Sequence, residues 1–298
     1  MSVQTEEPAR LKARGGIKMN QDLNAWISQT IISFAENSRE NTLSRFHEKA
    51  WDKPLVGFSR GDDKLYDFFK KDIGSFYLTP KEFLEDTYPG RIFSAEEISV
   101  ISWVLPHTEK TKEEQRKDML FPTERAALSR LDGENFNRRI AEYLVSVLQK
   151  EGYPAVSPML SPLWQVHWSE KYANASNWSE RHTAYVCGLG TFSLTDTLIT
   201  PVGKAMRCGS VIAGIPLKPT ARKYKKYNEY CLYYKNGGCL QCVKRCPAKA
   251  ISEKGHDKEK CLEYQTKVIS RHNREKYGIE LRYCGICQFG VPCESQIP

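Results

Sequence analysis

The sequence has no long apolar run. Among its 298 residues the longest such run is Ile98 to Leu105, far shorter than the roughly 20 residues of a transmembrane helix. The first 19 residues mix charges around Gly15 and Gly16 and contain neither an apolar h-region nor a twin-arginine pair, so they do not resemble an export signal. We therefore predict a cytoplasmic protein that has no membrane partner, with residues 1–19 as a mobile tail.

The missing export signal also decides how the ten cysteines are interpreted. Disulfides persist in oxidising compartments, whereas closely spaced cysteines in a reducing cytoplasm more often bind metal. Eight of the ten lie between Cys231 and Cys293, and no repeat or low-complexity segment is visible outside their motifs. The C-terminal part of the chain is therefore predicted to hold metal.

Six of these eight cysteines form two compact motifs. The motifs are Cys239-x2-Cys242-x3-Cys246-Pro247 and Cys284-x2-Cys287-x5-Cys293. Thiolates are soft, anionic ligands that suit iron–sulfur clusters, and a Cys-Pro ending is typical of bacterial ferredoxins. The first cysteine of the usual run is missing at its expected spacing, and Cys231 is the candidate that replaces it.

In two-cluster ferredoxins the last cysteine of one motif ligates the other cluster. This rule divides the eight cysteines into two sets of four and uses each of them once. The first set is Cys231, Cys239, Cys242 and Cys293, and the second set is Cys246, Cys261, Cys284 and Cys287. A pair of zinc sites is the alternative, since CxxC pairs also bind zinc, and a disulfide framework is a further one. The Cys-Pro ending and the x3 spacing favour two [4Fe–4S] clusters.

Positive charge is concentrated in the same part of the chain. Residues 218–282 contain 17 Lys and Arg against 7 Asp and Glu, whereas the other residues contain 27 against 29. An oxidised four-thiolate [4Fe–4S] centre carries about −2, so the surplus can compensate clusters. An anionic partner such as RNA or a phosphorylated ligand is the other interpretation.

Helical and strand patterns alternate along the rest of the chain, which indicates an α/β or α+β fold. We predict a domain over 20–217 and a second one over 218–298. Helices are predicted over 20–37, 135–150 and 179–186, and strands over 98–105, 155–156, 197–200 and 207–213. The charged run from His107 to Lys117 is predicted to be a surface loop.

The stretch from Ser179 to Leu217, SERHTAYVCGLGTFSLTDTLITPVGKAMRCGSVIAGIPL, precedes the cysteine motifs. Together they resemble the epoxyqueuosine reductases and the related reductive dehalogenases, over about residues 150–293. The resemblance implies an α+β protein with a nitroreductase-like α/β core followed by a bacterial-ferredoxin-like domain with two [4Fe–4S] clusters. It further implies an enzyme in which a base-off cobalamin reduces a small-molecule substrate, with electrons from a reduced ferredoxin or flavodoxin.

On this resemblance, the Gly-Leu-Gly turn approaches the corrin closely and two following strands line the same face. The residues assigned to cofactor binding are Gly188, Leu189, Gly190, Thr197, Leu198, Ile199, Thr200, Cys208, Gly209 and Ser210. The alternative is that the turn is an ordinary link between a helix and a strand. Cys187 and Cys208 are either small buried residues or thiols that face the corrin.

One departure from the family concerns the proton donor. The family's catalytic aspartate falls on Asn174 here, and an amide cannot donate a proton as a carboxylic acid does. Asn174 therefore stays only a candidate cofactor contact. The replacement candidates are Glu180, His182, Tyr185 and His167, with His182 first because histidine titrates near neutral pH. A structural, hydrogen-bonded histidine is the alternative interpretation.

Two other functions remain open at this point. The first is a non-catalytic electron carrier or a reductive activator of a corrinoid protein, which the missing aspartate favours. The second is tRNA epoxyqueuosine reduction. A tRNA partner is disfavoured because the chain ends at Pro298, without the helical-repeat extension of many tRNA-acting relatives.

Overall fold

The computed structural model describes residues 22–298, so the predicted tail over 1–19 lies outside the described part. The α-helices are α1 (Leu23–Asn37), α2 (Lys64–Asp72), α3 (Pro80–Thr87), α4 (Glu109–Lys117), α5 (Glu124–Lys150), α6 (Glu180–Val186), α7 (Leu232–Asn236), α8 (Gln241–Lys244), α9 (Lys258–Tyr264) and α10 (Ser270–Tyr277). Single turns of 3₁₀-helix lie at Pro158–Leu160 and Ile286–Gln288, and a π-helical turn at Gln265–Ile269 joins α9 to α10.

The strands are β1 (Leu55–Arg60), β2 (Ser99–Pro106), β3 (Ala155–Val156), β4 (Val166–Ser169), β5 (Ala173–Ser176), β6 (Thr191–Phe192), β7 (Leu198–Ile199), β8 (Met206–Ala213), β9 (Ile251–Ser252) and β10 (Gly255–His256). The main sheet has the order β1-β2-β8-β3, and every neighbouring pair is antiparallel. All eight residues of β2 are buried, as a central strand covered on both faces requires.

Helices cover both faces of this sheet. Because successive side chains of a strand point to opposite faces, Trp103 and Val211 join one core with α1 and α5, whereas Val100 and Ile212 join another with α2, α3 and α6. The result is a mixed α+β architecture, as predicted.

Helix α5 begins earlier than predicted. The periodicity suggested a start near Asn135, but the helix begins at Glu124, where Thr123 accepts a hydrogen bond from the amide of Ala126. Gly133 is therefore inside the helix, a position that is unfavourable for glycine. The Trp51 indole explains it, since a Cβ at Gly133 would lie 2.7 Å from its nitrogen, which donates to the Gly133 carbonyl at 2.9 Å.

The prediction of a surface loop from His107 to Lys117 is wrong. Most of this run forms α4, and Thr111, Lys112 and Gln115 are buried in spite of its charge. The helix is charged because it faces polar partners in the C-terminal segment: Lys112 Nζ donates to Ser295 Oγ at 3.0 Å, and Arg116 pairs with the buried carboxylate of Glu294. A charged sequence does not reveal such partners, which lie far away in the chain.

The cysteine-rich segment is formed by short elements around its own small core. This core combines Leu194 and Ile199 with Ile251, Val291 and several of the cysteines. The segment also contacts the main domain, which comprises the main sheet and helices α1 to α6, because Ile279 belongs to the core between that sheet and α5. No helix among residues 22–298 is long and apolar enough to cross a bilayer.

Candidate metal centres and active site

The four cysteines of the first predicted set line one small cavity. Cys231 precedes α7, Cys239 lies just before α8, Cys242 lies within α8, and Cys293 comes from the C-terminal segment. Gly237 ends α7 with a φ of 71°, the left-handed conformation that glycine adopts readily, and it turns the chain back toward α8. Burial raises the pKa of Cys293 to about 11, and the nearby charge of Lys204 opposes this rise.

The other three cysteines of the second predicted set lie within electrostatic reach of Cys284. Burial raises the pKa of Cys284, and the charges of Cys287, Cys261 and Cys246 raise it further. Two of these sulfurs accept hydrogen bonds: Cys246 Sγ from the amide of Ala250 at 3.3 Å, and Cys261 Sγ from the Gln265 side chain at 3.1 Å. The cavity contains the first predicted set, whereas the assignment of the other four cysteines to a second cluster stays a prediction, since Cys287 is also within electrostatic reach of Cys242.

Within residues 22–298, no group of three or more His, Cys, Asp or Glu side chains is arranged to hold a single metal ion. The thiols of the first set surround a cavity that they share with Ser193 and Lys204. Four thiolates around a cavity are the donor set that a [4Fe–4S] cluster requires.

Lys204 is a functional candidate that the sequence did not indicate. Its side chain is fully buried and lines the cavity of the first set. Burial raises the pKa of Cys287, in the second set, to about 12, and the charge of Lys204 opposes this rise. Lysine is almost never fully buried without a partner. Because one lysine among 44 Lys and Arg residues carries no signal of burial, only the structure could identify it.

Glu180 places a carboxyl group inside the main domain, at the start of α6. Both of its carboxyl oxygens are buried without a hydrogen-bond partner. The neighbouring Trp178 and Ser210 hydrogen bond to each other, since the indole N–H of Trp178 donates to Ser210 Oγ at 3.0 Å. Burial raises the pKa of Glu180 to about 7, although the nearby Ser210 hydroxyl and the charge of Arg207 oppose the shift. A carboxyl group in this state can hold and release a proton near neutral pH.

His182 has different properties from those predicted. Its ring lies between Phe69 and Phe192, with centroid distances of 4.8 Å to each, and its Nδ1 is hydrogen bonded to Ser179 Oγ at 2.8 Å. Burial, together with the charge of Arg181, lowers its pKa to about 3. The prediction that His182 titrates near neutral pH is therefore wrong, and the structural interpretation of this histidine is favoured.

The remaining proton-donor candidates lie in other surroundings. Tyr185 stacks on Tyr224 with a centroid distance of 5.2 Å, and burial raises its pKa. His167, on β4, stacks on Phe76 at 4.6 Å. Asn174 is exposed on β5, opposite Trp168. Of the candidates, Glu180 therefore has the burial and the pKa that a proton donor needs.

The glycines of the Gly-Leu-Gly turn serve close contacts within the chain. A Cβ at Gly190 would lie 2.2 Å from the carbonyl oxygen of Ile199, and one at Gly188 would lie 3.1 Å from the Thr220 side chain. Leu189 is buried beside Gly57. These contacts favour the alternative interpretation, in which the segment is an ordinary turn between a helix and a strand.

The two strands assigned to the corrin face are also closed. Leu198, Ile199, Thr200, Cys208 and Ser210 are all buried, and Thr200 Oγ1 donates to the Gly203 carbonyl within its own turn. Gly209 points to the other side of the sheet, where a Cβ would lie 2.5 Å from Trp103. Thr197 hydrogen bonds Ser193 and Thr195. These residues do not form a common open face, so as a set they do not fit a corrin.

Cys187 and Cys208 are buried thiols of the main domain. Burial raises the pKa of each to about 12, so both remain protonated. Their surroundings are those of small buried residues.

Comparison with known proteins gives matches in structure only. No family model matches the sequence, and no curated protein is significantly similar to it. Epoxyqueuosine reductase from Bacillus subtilis matches with a TM-score of 0.50 and 18% identity, covering 92% of this chain and 66% of that one. An epoxyqueuosine reductase solved with an epoxyqueuosine-modified tRNA-Tyr stem loop matches with a TM-score of 0.50 and 17% identity, over 91% of this chain and 66% of the other.

The catabolic reductive dehalogenase NpRdhA, in complex with 3-bromo-4-hydroxybenzoic acid, matches with a TM-score of 0.52 and 16% identity over 91% of this chain and 36% of that one. The chain thus spans about two thirds of the epoxyqueuosine reductases and about a third of the dehalogenase. The resemblance seen in the sequence is confirmed for the fold, which this chain shares with both kinds of protein.

Proposed function

We propose that this protein is a reductase that transfers single electrons through two [4Fe–4S] clusters to a substrate. The observation that carries the proposal is the cavity lined by Cys231, Cys239, Cys242 and Cys293, with Cys246, Cys261 and Cys287 within electrostatic reach of Cys284. Proteins with the same fold include two kinds of reductase, which supports the reaction class.

The residues present fit the clusters. The first set would hold one cluster and the second set the other, and when bound the clusters supply one-electron transfer. The buried Lys204 provides positive charge beside thiolates that would otherwise be mutually repulsive. A reduced ferredoxin or flavodoxin remains the predicted donor.

Reduction of an organic substrate consumes protons as well as electrons, and Glu180 is the residue that we assign to this role. Its pKa of about 7 leaves a large fraction of the carboxyl protonated at neutral pH, and the buried Trp178 and Ser210 keep water away from it. A small-molecule substrate that approaches this carboxyl would receive its proton there.

Iron analysis of single-cysteine variants tests the clusters. Protein purified or reconstituted without oxygen should contain about eight irons, the content of two four-iron clusters. Cys242→Ser and Cys287→Ser should each lose about half of this iron, and reduced samples should lose one of two paramagnetic signals. Cys187→Ser is the matched control, because Cys187 is buried but belongs to neither set. Zinc in place of iron, or equal losses in all three variants, would contradict the proposal.

Cobalamin stays a prediction from the sequence resemblance, because the residues predicted to face the corrin are mostly buried and do not form a common open face. Their burial favours the second candidate function, an electron carrier or reductive activator of a corrinoid protein. Equilibrium binding of cobalamin to cluster-loaded protein separates the two. Binding with a base-off Co(II) signal would support a cobalamin-dependent enzyme, whereas absence of binding together with rapid reduction of a corrinoid protein would support the carrier.

Reduction of epoxyqueuosine in tRNA is the third candidate. It is favoured by the fold shared with a reductase solved together with a tRNA stem loop and by the positive charge of residues 218–282. Complementation of a queuosine-deficient strain tests it, with Cys242→Ser as the inactive control. Failure to restore queuosine would exclude this candidate and leave the other two.

A further inference from the structure

The position of Lys204 is fixed by the C-terminal segment. Its backbone amide donates to the carbonyl oxygens of Cys293, at 2.8 Å, and Glu294, at 3.1 Å. The preceding Gly203 has a φ of 81°, and a Cβ there would lie 2.0 Å from the Glu294 carbonyl oxygen. This close crossing of two backbones directs the Lys204 side chain into the cavity that Cys231, Cys239, Cys242 and Cys293 also line.

The ammonium group of Lys204 has no carboxylate partner within residues 22–298, since no ion pair within 4.0 Å includes it. Lys204 Nζ donates a long hydrogen bond of 3.5 Å to Thr195 Oγ1. A fully buried charge without a counter-charge is strongly unfavourable. The thiols of the cavity are the groups available to supply negative charge, which an anionic cluster on these thiols would do.

The same charge reaches both cysteine sets. Lys204 acts on Cys242 and Cys293 of the first set, and on Cys287 of the second. Cys242 in turn lies close enough to Cys287 for their charges to interact. Lys204 is therefore within electrostatic reach of cysteines from both sets.

We propose that Lys204 sets the reduction potentials of the two clusters, by stabilising the more negative charge that each cluster carries once it is reduced. The inference rests on the proposed function, because it requires clusters on both cysteine sets. Reduction adds one negative charge, and a fixed cation in a buried, weakly screened site favours that state. The effect is larger for the cluster of the first set, because Lys204 lines that cavity directly.

Redox titration of a charge-removing variant tests the inference. In Lys204→Met the side chain keeps most of its volume, and the cluster signals, followed by paramagnetic resonance at controlled potential, should appear at lower potentials than in the wild type. The larger shift should belong to the signal that Cys242→Ser removes. Lys254→Met is the matched control, because Lys254 is exposed on the β9–β10 turn and its loss should change both potentials little.

Potentials that are equal in Lys204→Met and the wild type, at an unchanged iron content, would overturn the role of Lys204 and leave the clusters intact. Absence of iron from the wild type would instead overturn the proposed function. If Lys204→Met takes up less iron, Lys204→Arg decides the matter, because it keeps the charge. Recovery of the iron by arginine supports the requirement for a cation, and failure to recover it contradicts that requirement.

Discussion

The buried guanidinium of Arg245 donates a 3.0 Å hydrogen bond to the carbonyl oxygen of Gln115. It also binds the carbonyls of Asp118, at 3.0 Å, and Arg116, at 3.2 Å. The last carbonyls of a helix have no partner within the helix, and a cation near them is favourable. Arg245 thus joins the cysteine-rich segment to the end of α4, in the main domain.

Replacement of Arg245 by methionine should weaken this junction. The three carbonyl groups at the end of α4 would lose a charged donor, so we expect a loss of about 3 kcal/mol in the free energy of unfolding, measured by anaerobic urea denaturation of cluster-loaded protein. Arg271→Met is the control, because the Arg271 side chain is 70% exposed and its pairing with Glu275 is a surface one. Equal stability of the two variants would show that Arg245 does not hold the segment in place.

The sequence predicted those helices and strands whose sequence signals lie within the element itself. The strand predicted from Ile98 is β2, and the helix predicted from Ser179 is α6, with Ser179 as its N-cap. The same reasoning failed for α4 because its buried face is polar and its partners, Arg245 and Glu294, lie more than a hundred residues away. Distant polar contacts leave no periodicity in the sequence.

Stability should depend on pH through Glu180. Its pKa is about 7 in the folded protein and near 4.5 when exposed, so the folded state keeps a proton that the unfolded chain has lost between these values. Stability is therefore fully present below pH 4.5 and falls as pH rises toward 7. In Glu180→Gln this loss is absent, and at pH 8 the variant should be more stable than the wild type by about 3 kcal/mol.

Thermal or urea unfolding at pH 5 and pH 8 measures this difference. Glu170→Gln is the control, because it makes the same substitution at an exposed glutamate. Activity adds a second readout, since Glu180→Gln should abolish substrate reduction while the iron content stays at the wild-type level. A variant that keeps full turnover would exclude Glu180 as the proton donor.

His107 should make the protein sensitive to acid. The centroid of its ring lies 4.5 Å from that of Trp51 and 5.2 Å from that of Phe289. Burial, together with the charge of Lys112, lowers the pKa of His107 to about 3. The unfolded chain binds a proton on this histidine below about pH 6.5 and the folded protein does not. Stability is therefore complete above pH 6.5 and is lost as pH falls, by about 2 kcal/mol at pH 5.

The variant His107→Leu should lose less stability than the wild type between pH 8 and pH 5, by about that amount. His47→Leu is the control, because His47 is exposed and its removal should not alter the slope. His182 contributes equally to all three proteins and cancels in the comparison. Parallel curves for His107→Leu and the wild type would show that His107 is protonated in the folded state.

The cysteines were the part of the candidate site that their spacing in the sequence could predict. Spacing and the crossover rule named the two sets of four. The first set lines one cavity, whereas the second set and the clusters themselves stay predictions. The spacing carried no information on Lys204, whose burial depends on the crossing of Gly203 and Glu294. It also could not separate Glu180 from His182, because their pKa values of about 7 and about 3 are set by their buried surroundings.

The Gly-Leu-Gly turn offers a direct test between its two interpretations. If Gly190 serves the chain's own packing, Gly190→Ala places a methyl group 2.2 Å from the Ile199 carbonyl oxygen and should cost about 1–3 kcal/mol of stability. Gly214→Ala is the control, because its Cβ would meet Phe93 at 3.3 Å, and it should cost less. If the glycine instead leaves room for a corrin, Gly190→Ala would keep its stability and weaken cobalamin binding. Unfolding and cobalamin titrations on the same variant therefore distinguish a turn built for the strand beside it from one built for a cofactor.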